Sequence, residues 1–190
     1  MPSPSDSVGP AADVAWVSDV VAAFRCVMEQ PDGELVGAHA DAVLLTLIEL
    51  HRTNLAQWGL EDAVRAPGAG DATVAAAKRE IDTLNARRHL LVEDVDAAIC
   101  DAMVQTPSAP PSTESPGMAL DRLSVLVIRL HHTELAIRSA QPGTGIASSR
   151  LADLHRQLAV LVEALGALLQ DVREGTRQFL PYRSLKLYGS

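Results

Sequence analysis

A run of leucines spaced three or four residues apart constrains the fold of this chain more than any other feature. Leucine or valine occupies each such position from Leu151 to Val172. This spacing places the side chains on one face of an α-helix. Leucine at every core position suits a helical bundle and also a helix–helix dimer. The repeat predicts one of these two arrangements, and the spacing alone does not choose between them.

Four more segments carry apolar side chains at helical spacing, and stretches rich in proline and glycine separate them. The pattern predicts helices over about 13–28, 38–66, 71–104 and 118–140, with a long Pro-rich connection between the third and the fourth. No segment shows the alternation typical of a strand. We therefore predict an all-α bundle of four or five helices, forming a single domain over residues 13–190 after a disordered N-terminus over residues 1–12.

The C-terminal tail from Gly175 to Ser190 is predicted to be ordered. Gly175 is expected to end the fifth helix. Half of the six aromatic residues of the chain follow it, together with three cations and no acid. We expect this tail to pack across the bundle.

Composition excludes several classes of function. The chain has 16 Lys and Arg against 24 Asp and Glu, a formal net charge of −8, and 3% aromatic residues. This balance argues against nucleic-acid binding, which needs cations and stacking rings. Apolar runs are too short to span a membrane, no secretory leader is evident, and the two cysteines stand alone. A soluble, cytoplasmic protein is expected.

Charged and amide side chains continue the apolar stripes of the second and third predicted helices. His51, Trp58, Asp62 and Arg65 share the stripe of the second helix, and Lys78, Asn85 and Arg88 share that of the third. Charges on a buried face require partners. An arginine there holds a carboxylate, phosphate or sulfate through two parallel hydrogen bonds. The stripes predict either an anion site or a closed network of ion pairs with Asp62 or Asp121, and Asp62 with Arg65 also fits a plain surface pair.

A turn from Thr113 to Gly117 leads into the fourth predicted helix, whose early turns carry Asp121, Arg122 and Ser124. Free N–H groups at a helix N-terminus bind anions. Ordinary capping by Thr113 or Ser115 is the alternative interpretation. The turn by itself favours capping.

The six histidines do not form a recognisable metal motif. Di-iron bundles use Glu-x-x-His on two helices, and this spacing is absent from the sequence. His51 on an apolar stripe is typical of a hydrogen-bonded core histidine. No nucleotide-binding loop is present either. We therefore predict no metal and no cofactor, and a metal-dependent hydrolase is only a third hypothesis.

Several motifs in the same order resemble the all-helical domain of unknown function family 4254. They span residues 50–58, 61–65, 78–88, 113–124 and 183–188. The tail departs from the family pattern at Gly189, where an asparagine is usual. The resemblance implies a bacterial biosynthetic setting. The chain is also similar to the aziridine-forming component of azinomycin-type biosynthesis, which implies closure of a three-membered ring with expulsion of sulfate.

The leading hypothesis is a small-molecule biosynthetic enzyme that acts on an anionic amino compound, by displacement or elimination of sulfate or phosphate and without a redox cofactor. An acid would orient the substrate amine and accept its proton, and the candidates are Glu61, Asp62 and Asp121. Fixed cations would hold the leaving group, with polar groups beside them. The candidates for binding are His51, Asn54, Trp58, Arg65, Lys78, Asn85, Arg88 and Arg122. The alternative is a non-catalytic helical subunit that stabilises or recruits a partner enzyme, and a homo- or hetero-oligomer is expected in either case.

Overall fold

The computed structural model describes residues 10–30, 42–68, 70–139 and 145–184. These ranges contain five α-helices and no strand, which confirms the all-α bundle. The helices are α1 (Pro10–Glu29), α2 (Ala42–Arg65), α3 (Asp71–Ala102), α4 (Pro116–Ser139) and α5 (Gly145–Arg173). The predicted N-terminal disorder and the predicted start of the second helix at residue 38 lie largely outside the described residues. No described helix is long and apolar enough to cross a membrane.

Helix α4 is the centre of the bundle. It packs against each of the other four helices, whereas α3 and α5 flank it without their backbones coming into contact. Ten of its residues are buried, on more than one face, because a helix with neighbours on several sides needs apolar groups around most of its circumference. This arrangement leaves one face of α4 uncovered between α3 and α5.

The leucine repeat of α5 lies inside the bundle. Leu154, Leu158, Leu161 and Leu165 are buried in the shared hydrophobic core, as is Val172. The predicted Leu168 is only partly buried, and its neighbour Leu169 takes the core position. A strict three-four repeat drifts around a helix of 3.6 residues per turn, so the buried position shifts by one residue near the end. The repeat thus packs against helices of the same chain.

Helices α2 and α3 form an antiparallel hairpin whose two halves are buried differently. The inner half holds the buried residues of both helices, from Leu47 to Asn54 and from Leu91 to Ile99. In the outer half, Ala77 is the only buried residue that α2 and α3 contribute. The stripes of the sequence therefore mark a core face only where α4 covers them.

The segment after α5 packs across the bundle as predicted. Gly175 ends the helix with a φ of +72°, and its N–H donates to the carbonyl of Val172 at 3.1 Å. Phe179 is buried in the core, and Gln178 exchanges backbone hydrogen bonds with the connection between α3 and α4. The part of the tail beyond Ser184 lies outside the described residues.

The packing of α1 against α5 depends on a glycine. A Cβ atom added at Gly166 would lie 2.5 Å from Cγ2 of Val14 and 3.0 Å from its Cα. We expect Gly166→Ala to lower the free energy of unfolding by about 1–3 kcal/mol, since an added carbon in a closed contact forces the helices apart. Urea denaturation measures this change.

The matched control is Gly59→Ala in the exposed middle of α2, where a Cβ meets nothing within 4 Å. Alanine there should raise the free energy of unfolding by about 0.5–1 kcal/mol, because the substitution favours the helix without a clash. Equal effects of the two substitutions would contradict the tight α1–α5 contact.

Candidate active site in the groove between α3 and α4

A chain of hydrogen bonds joins five polar side chains of α2, α3 and α4. Arg88 donates from Nε and Nη2 to the two oxygens of Asp121, at 2.8 and 2.5 Å. Asn54 Nδ2 donates to Asp121 Oδ1 and to Ser124 Oγ, both at 3.0 Å. Ser124 Oγ lies 2.8 Å from His51 Nδ1. The chain runs from the partly exposed Arg88 to the fully buried His51, so it connects the surface of the bundle with its core.

The helices bring these residues together through their spacing. His51 and Asn54 are three residues apart on α2, and Asp121 and Ser124 are three apart on α4, so each pair shares one helix face. Arg88 reaches Asp121 from α3. The bidentate hydrogen bond to Asp121 raises the pKa of the Arg88 guanidinium against the opposing effect of its burial. The two parallel hydrogen bonds fix the position of each side chain relative to the other.

His51 is the buried end of the chain. Its ring stacks on Phe24 of α1, with centroids 4.3 Å apart and the planes 7° from parallel. Burial lowers the pKa of His51 to about 4, and the nearby backbone of Phe24 opposes this shift only in part. The ring is therefore neutral at pH 7. The predicted core histidine is confirmed, and no solvent reaches it for a direct role in binding.

An open groove lies at the other end of the chain, between α3, α4 and the segment after α5. Its volume is about 420 Å³. Arg88 and Asp121 line it together with a second ion pair, in which Arg122 Nη2 lies 2.8 Å from Glu114 Oε1. Apolar walls come from Val92, Met118 and Val125. The groove presents two cations and two acids to a bound molecule.

A tyrosine and a histidine complete the groove. Tyr182, in the segment after α5, lines it with its hydroxyl 2.7 Å from Nδ1 of His89 on α3. The two rings also stack, with centroids 5.6 Å apart. This pair can pass a proton between a bound molecule and the imidazole.

Asp96 fixes the three walls of this groove. It is fully buried on α3, and its Oδ1 accepts the N–H of Gly117 at the start of α4, at 2.7 Å. Its Oδ2 accepts the N–H of Tyr182 at 2.8 Å. One carboxylate thus holds α3, α4 and the C-terminal segment at fixed positions.

The start of α4 is capped and does not offer an anion site. Ser115 Oγ accepts the N–H of Met118 at 3.3 Å, and Asp96 takes the N–H of Gly117. These two acceptors occupy N–H groups that an anion would need. Capping by Ser115 is therefore the correct interpretation of this turn.

The structure brings five of the predicted site residues to the hydrogen-bonded chain and its groove: His51, Asn54, Arg88, Asp121 and Arg122. Asn85 is half-buried one turn before Arg88 but makes none of these hydrogen bonds. Trp58 lies further along α2, where its ring stacks on His132 with centroids 5.3 Å apart. Burial, together with the neighbouring His131, lowers the pKa of His132. Neither Asn85 nor Trp58 lines the groove.

The remaining predicted residues lie on the outer half of the α2–α3 hairpin: Glu61, Asp62, Arg65 and Lys78. The expectation that Lys78 faces the core is wrong, because it is exposed about 15 Å along α3 from Arg88. Arg65 pairs with Glu61 at 2.8 Å and with Asp62 at 3.7 Å, and its side chain is 67% exposed. The surface-pair interpretation of Asp62 and Arg65 is therefore correct. The stripe of α2 continues in sequence to Arg65, but its side chains are fully buried only as far as Asn54. The reason is that α4 does not cover the tip of the α2–α3 hairpin.

Sequence reasoning missed four groups of the site: His89, Glu114, Tyr182 and Asp96. His89 follows Arg88 directly, and Glu114 lies in the turn from Thr113 to Gly117. Tyr182 belongs to the tail that was predicted to pack across the bundle. Its contact with His89 joins residues 93 positions apart, and no local pattern signals such a contact. Within the described ranges, no group of three or more histidines, cysteines and acids could hold a metal ion.

The chain matches a protein family that is defined by sequence. The family model described as "Protein of unknown function (DUF4254)" matches residues 45–180, so the chain belongs to this family. The match includes α2 to α5 and most of the groove. Searches of curated proteins and of solved structures found no match.

The Arg88–Asp121 pair generates a test of the site's architecture. Asp121→Asn leaves the partly buried Arg88 without its charged partner, and we expect a loss of about 1–3 kcal/mol in the free energy of unfolding. In the double variant with Arg88→Met, the loss should be smaller than the sum of the single losses by about 0.5–3 kcal/mol. Urea denaturation of the four proteins gives this coupling energy.

The matched control is Glu61→Gln, which removes an acid from an exposed ion pair. It should change the free energy of unfolding by less than about 0.5 kcal/mol. Additive losses at Arg88 and Asp121 would mean that their ion pair does not contribute to stability.

His51 makes stability depend on pH. The unfolded chain binds a proton at this histidine below pH 6.5, whereas the folded chain does so only near pH 4. The stabilising contribution is therefore complete above pH 6.5 and is lost as the pH falls from 6.5 to 4. As the pH falls from 6.5 to 4, we expect the wild type to lose up to about 3 kcal/mol of unfolding free energy relative to His51→Gln. A difference that stays constant from pH 7 to pH 4 would contradict a neutral, buried His51.

Proposed function

We propose that this protein is a small-molecule enzyme that binds an anionic amino compound in the α3–α4 groove. The single observation that supports this most is the pairing of two cations with two acids along an open groove that a buried hydrogen-bonded chain holds in place. A compound that carries both an anion and an amine complements such a surface. The anionic group of the compound takes the place of an acid beside an arginine. Its ammonium group then pairs with the acid that has been released.

Arg122 and Glu114 are the groups that meet the substrate. The side chain of Arg122 is 59% exposed, so its pair with Glu114 can open at small cost in free energy. Arg122 then holds the sulfate or phosphate, and Glu114 orients the ammonium. Asp121 has a different role, because both of its oxygens already accept hydrogen bonds from Arg88 and Asn54. It positions Arg88 and does not act as the base.

The proposed reaction follows the resemblance to the aziridine-forming component of azinomycin-type biosynthesis. The amine nitrogen attacks the carbon that bears the sulfate or phosphate ester, so a C–N bond forms and the C–O bond breaks. The leaving anion departs with the electron pair, and the arginines stabilise its charge. Before the attack, the ammonium gives one proton to Tyr182 Oη as the hydroxyl proton of Tyr182 passes to Nδ1 of His89, which leaves the nitrogen with the lone pair that it needs. This pair acts as the base in place of the exposed Glu61 and Asp62.

The proposal predicts a ligand that stabilises the fold through Arg122. We expect O-phosphoethanolamine, at about 100 times its dissociation constant, to add about 2.7 kcal/mol of stability. For a chain of this size this raises the melting temperature by about 5–11 °C. Thermal denaturation with O-phosphoethanolamine, 2-aminoethyl sulfate, phosphate and sulfate measures the effect.

Arg122→Ala should remove this rise without unfolding the protein, because the side chain is exposed. The matched control is Arg79→Ala, an exposed arginine of α3 outside the groove, which should leave the rise unchanged. A rise that survives Arg122→Ala would place the anion elsewhere. No rise with any of the four compounds would count against this substrate class.

A second candidate function is that of a non-catalytic subunit that stabilises or recruits an enzyme. The observation in its favour is that three arginines of the predicted site are already paired with acids of the chain: Arg88 with Asp121, Arg122 with Glu114 and Arg65 with Glu61. A non-catalytic subunit needs only these internal ion pairs and no open site for a ligand. This hypothesis predicts that none of the small anions changes the melting temperature.

A further inference from the structure

A second groove runs between α4 and α5, on the part of α4 that α3 does not cover. Its volume is about 630 Å³, within the range of small-molecule sites. Arginines stand at the rim of the groove, and most of the side chains between them are apolar. Of these apolar side chains, Leu126 and Leu161 are buried. The lining residues are Arg122, Val125, Leu126, Arg129, Arg156, Gln157, Val160, Leu161 and Ala164. Val160 is 60% exposed, so its side chain is accessible to a molecule in the groove.

Two arginines, Arg129 and Arg156, line one end of this α4–α5 groove. The helices are antiparallel, since His155 of α5 contacts Glu134 near the end of α4. In this register Arg129 of α4 lies level with Val160 of α5, and Arg156 lies about one turn closer to the start of α5, at the same end of the groove. Arg129 makes no ion pair with another residue of the described ranges, and the pair of Arg156 with Asp153 is exposed at 3.3 Å. The chain as a whole has a net charge of −8, yet this end of the groove is cationic, and no described acid neutralises Arg129 there. Such an end favours an anionic occupant.

We propose that the α4–α5 groove binds a small amphipathic anion, a carboxylate or phosphate ester with an aliphatic body. Arg129 and Arg156 hold the anionic head, and the aliphatic body lies on Leu126, Val160 and Leu161. From Arg129 to Arg122 the groove extends about 10 Å along α4, the length of a medium-sized aliphatic chain. The proposal stands apart from the proposed function, because the head group here sits at the end of the groove away from Arg122.

The arginines also argue against a second copy of this chain as the occupant. A two-fold symmetric dimer presents the same surface from both partners. It would set the patch that contains Arg122, Arg129 and Arg156 against a second copy of the same patch, and two surfaces of like charge oppose association. A small anion neutralises these cations instead.

The test compares the binding of three probes by calorimetry. Octyl phosphate carries both the head and the body, 1-octanol carries the body, and inorganic phosphate carries the head. We expect octyl phosphate, used below the concentration at which it forms micelles, to bind at least tenfold tighter than either of the other two. The double variant Arg129→Ala/Arg156→Ala should weaken octyl phosphate at least tenfold, and Val160→Asp should abolish its binding. These three side chains are exposed, so the variants should fold.

Arg79→Ala is the matched control and should bind octyl phosphate as the wild type does. Binding that the double variant and Val160→Asp leave unchanged would overturn the proposal, and so would the absence of octyl phosphate binding. A concentration-dependent dimer that Val160→Asp disrupts would overturn it in favour of an interface between two copies. A failure of this proposal can be told apart from a failure of the proposed function by the use of O-phosphoethanolamine. The rise in melting temperature that this compound causes should depend on Arg122 and should be unchanged by Arg129→Ala/Arg156→Ala.

Discussion

The buried carboxylate of Asp96 is the interaction on which the site depends. It accepts one backbone N–H from the start of α4 and one from the segment after α5, and it is itself fixed on α3. A buried carboxylate is costly unless its oxygens are hydrogen-bonded, so these two contacts are strongly specified. The close approach of Gly117 follows from this, since a Cβ there would lie 2.8 Å from both Asp96 Oδ1 and the carbonyl of Val92. The groove exists because these three elements meet at one acid.

The hydrogen-bonded chain from His51 to Arg88 makes the second contribution to the same architecture. Its inner end is a neutral ring in the core, and its outer end is a charged guanidinium at the groove. Asn54 links the two by donating to both Asp121 and Ser124, so a displacement at one end disturbs the other. Such a chain holds the Arg88 side chain in one position. A fixed cation stabilises developing negative charge better than a mobile one, because it does not reorganise during the reaction.

Much of the fold could be predicted from the sequence because helical periodicity is a local property. The leucines of α5 and the breaks at proline and glycine mark helices whatever their neighbours are. Burial is not local. Lys78 and Arg65 continue the same stripes as Arg88 and His51, yet they are exposed, since α4 passes only the inner half of the α2–α3 hairpin. Asp121 was recognisable as a partner for Arg88 because both interrupt apolar seams, whereas the pairing of Tyr182 with His89 depends on where the chain returns after α5.

The uncovered face of α4 explains why two grooves lie side by side. Helices α3 and α5 both pack on α4 but do not reach each other, so Arg122 and Val125 form a ridge with a polar groove on one side and an apolar groove on the other. Arg122 lines both grooves, and its guanidinium is the exposed half of an ion pair. An anion that draws Arg122 away from Glu114 therefore changes the rim of both. Because Arg129 and Arg156 lie at the other end of the apolar groove, an anion held there leaves the pair of Arg122 with Glu114 in place, and the two grooves can take different anions.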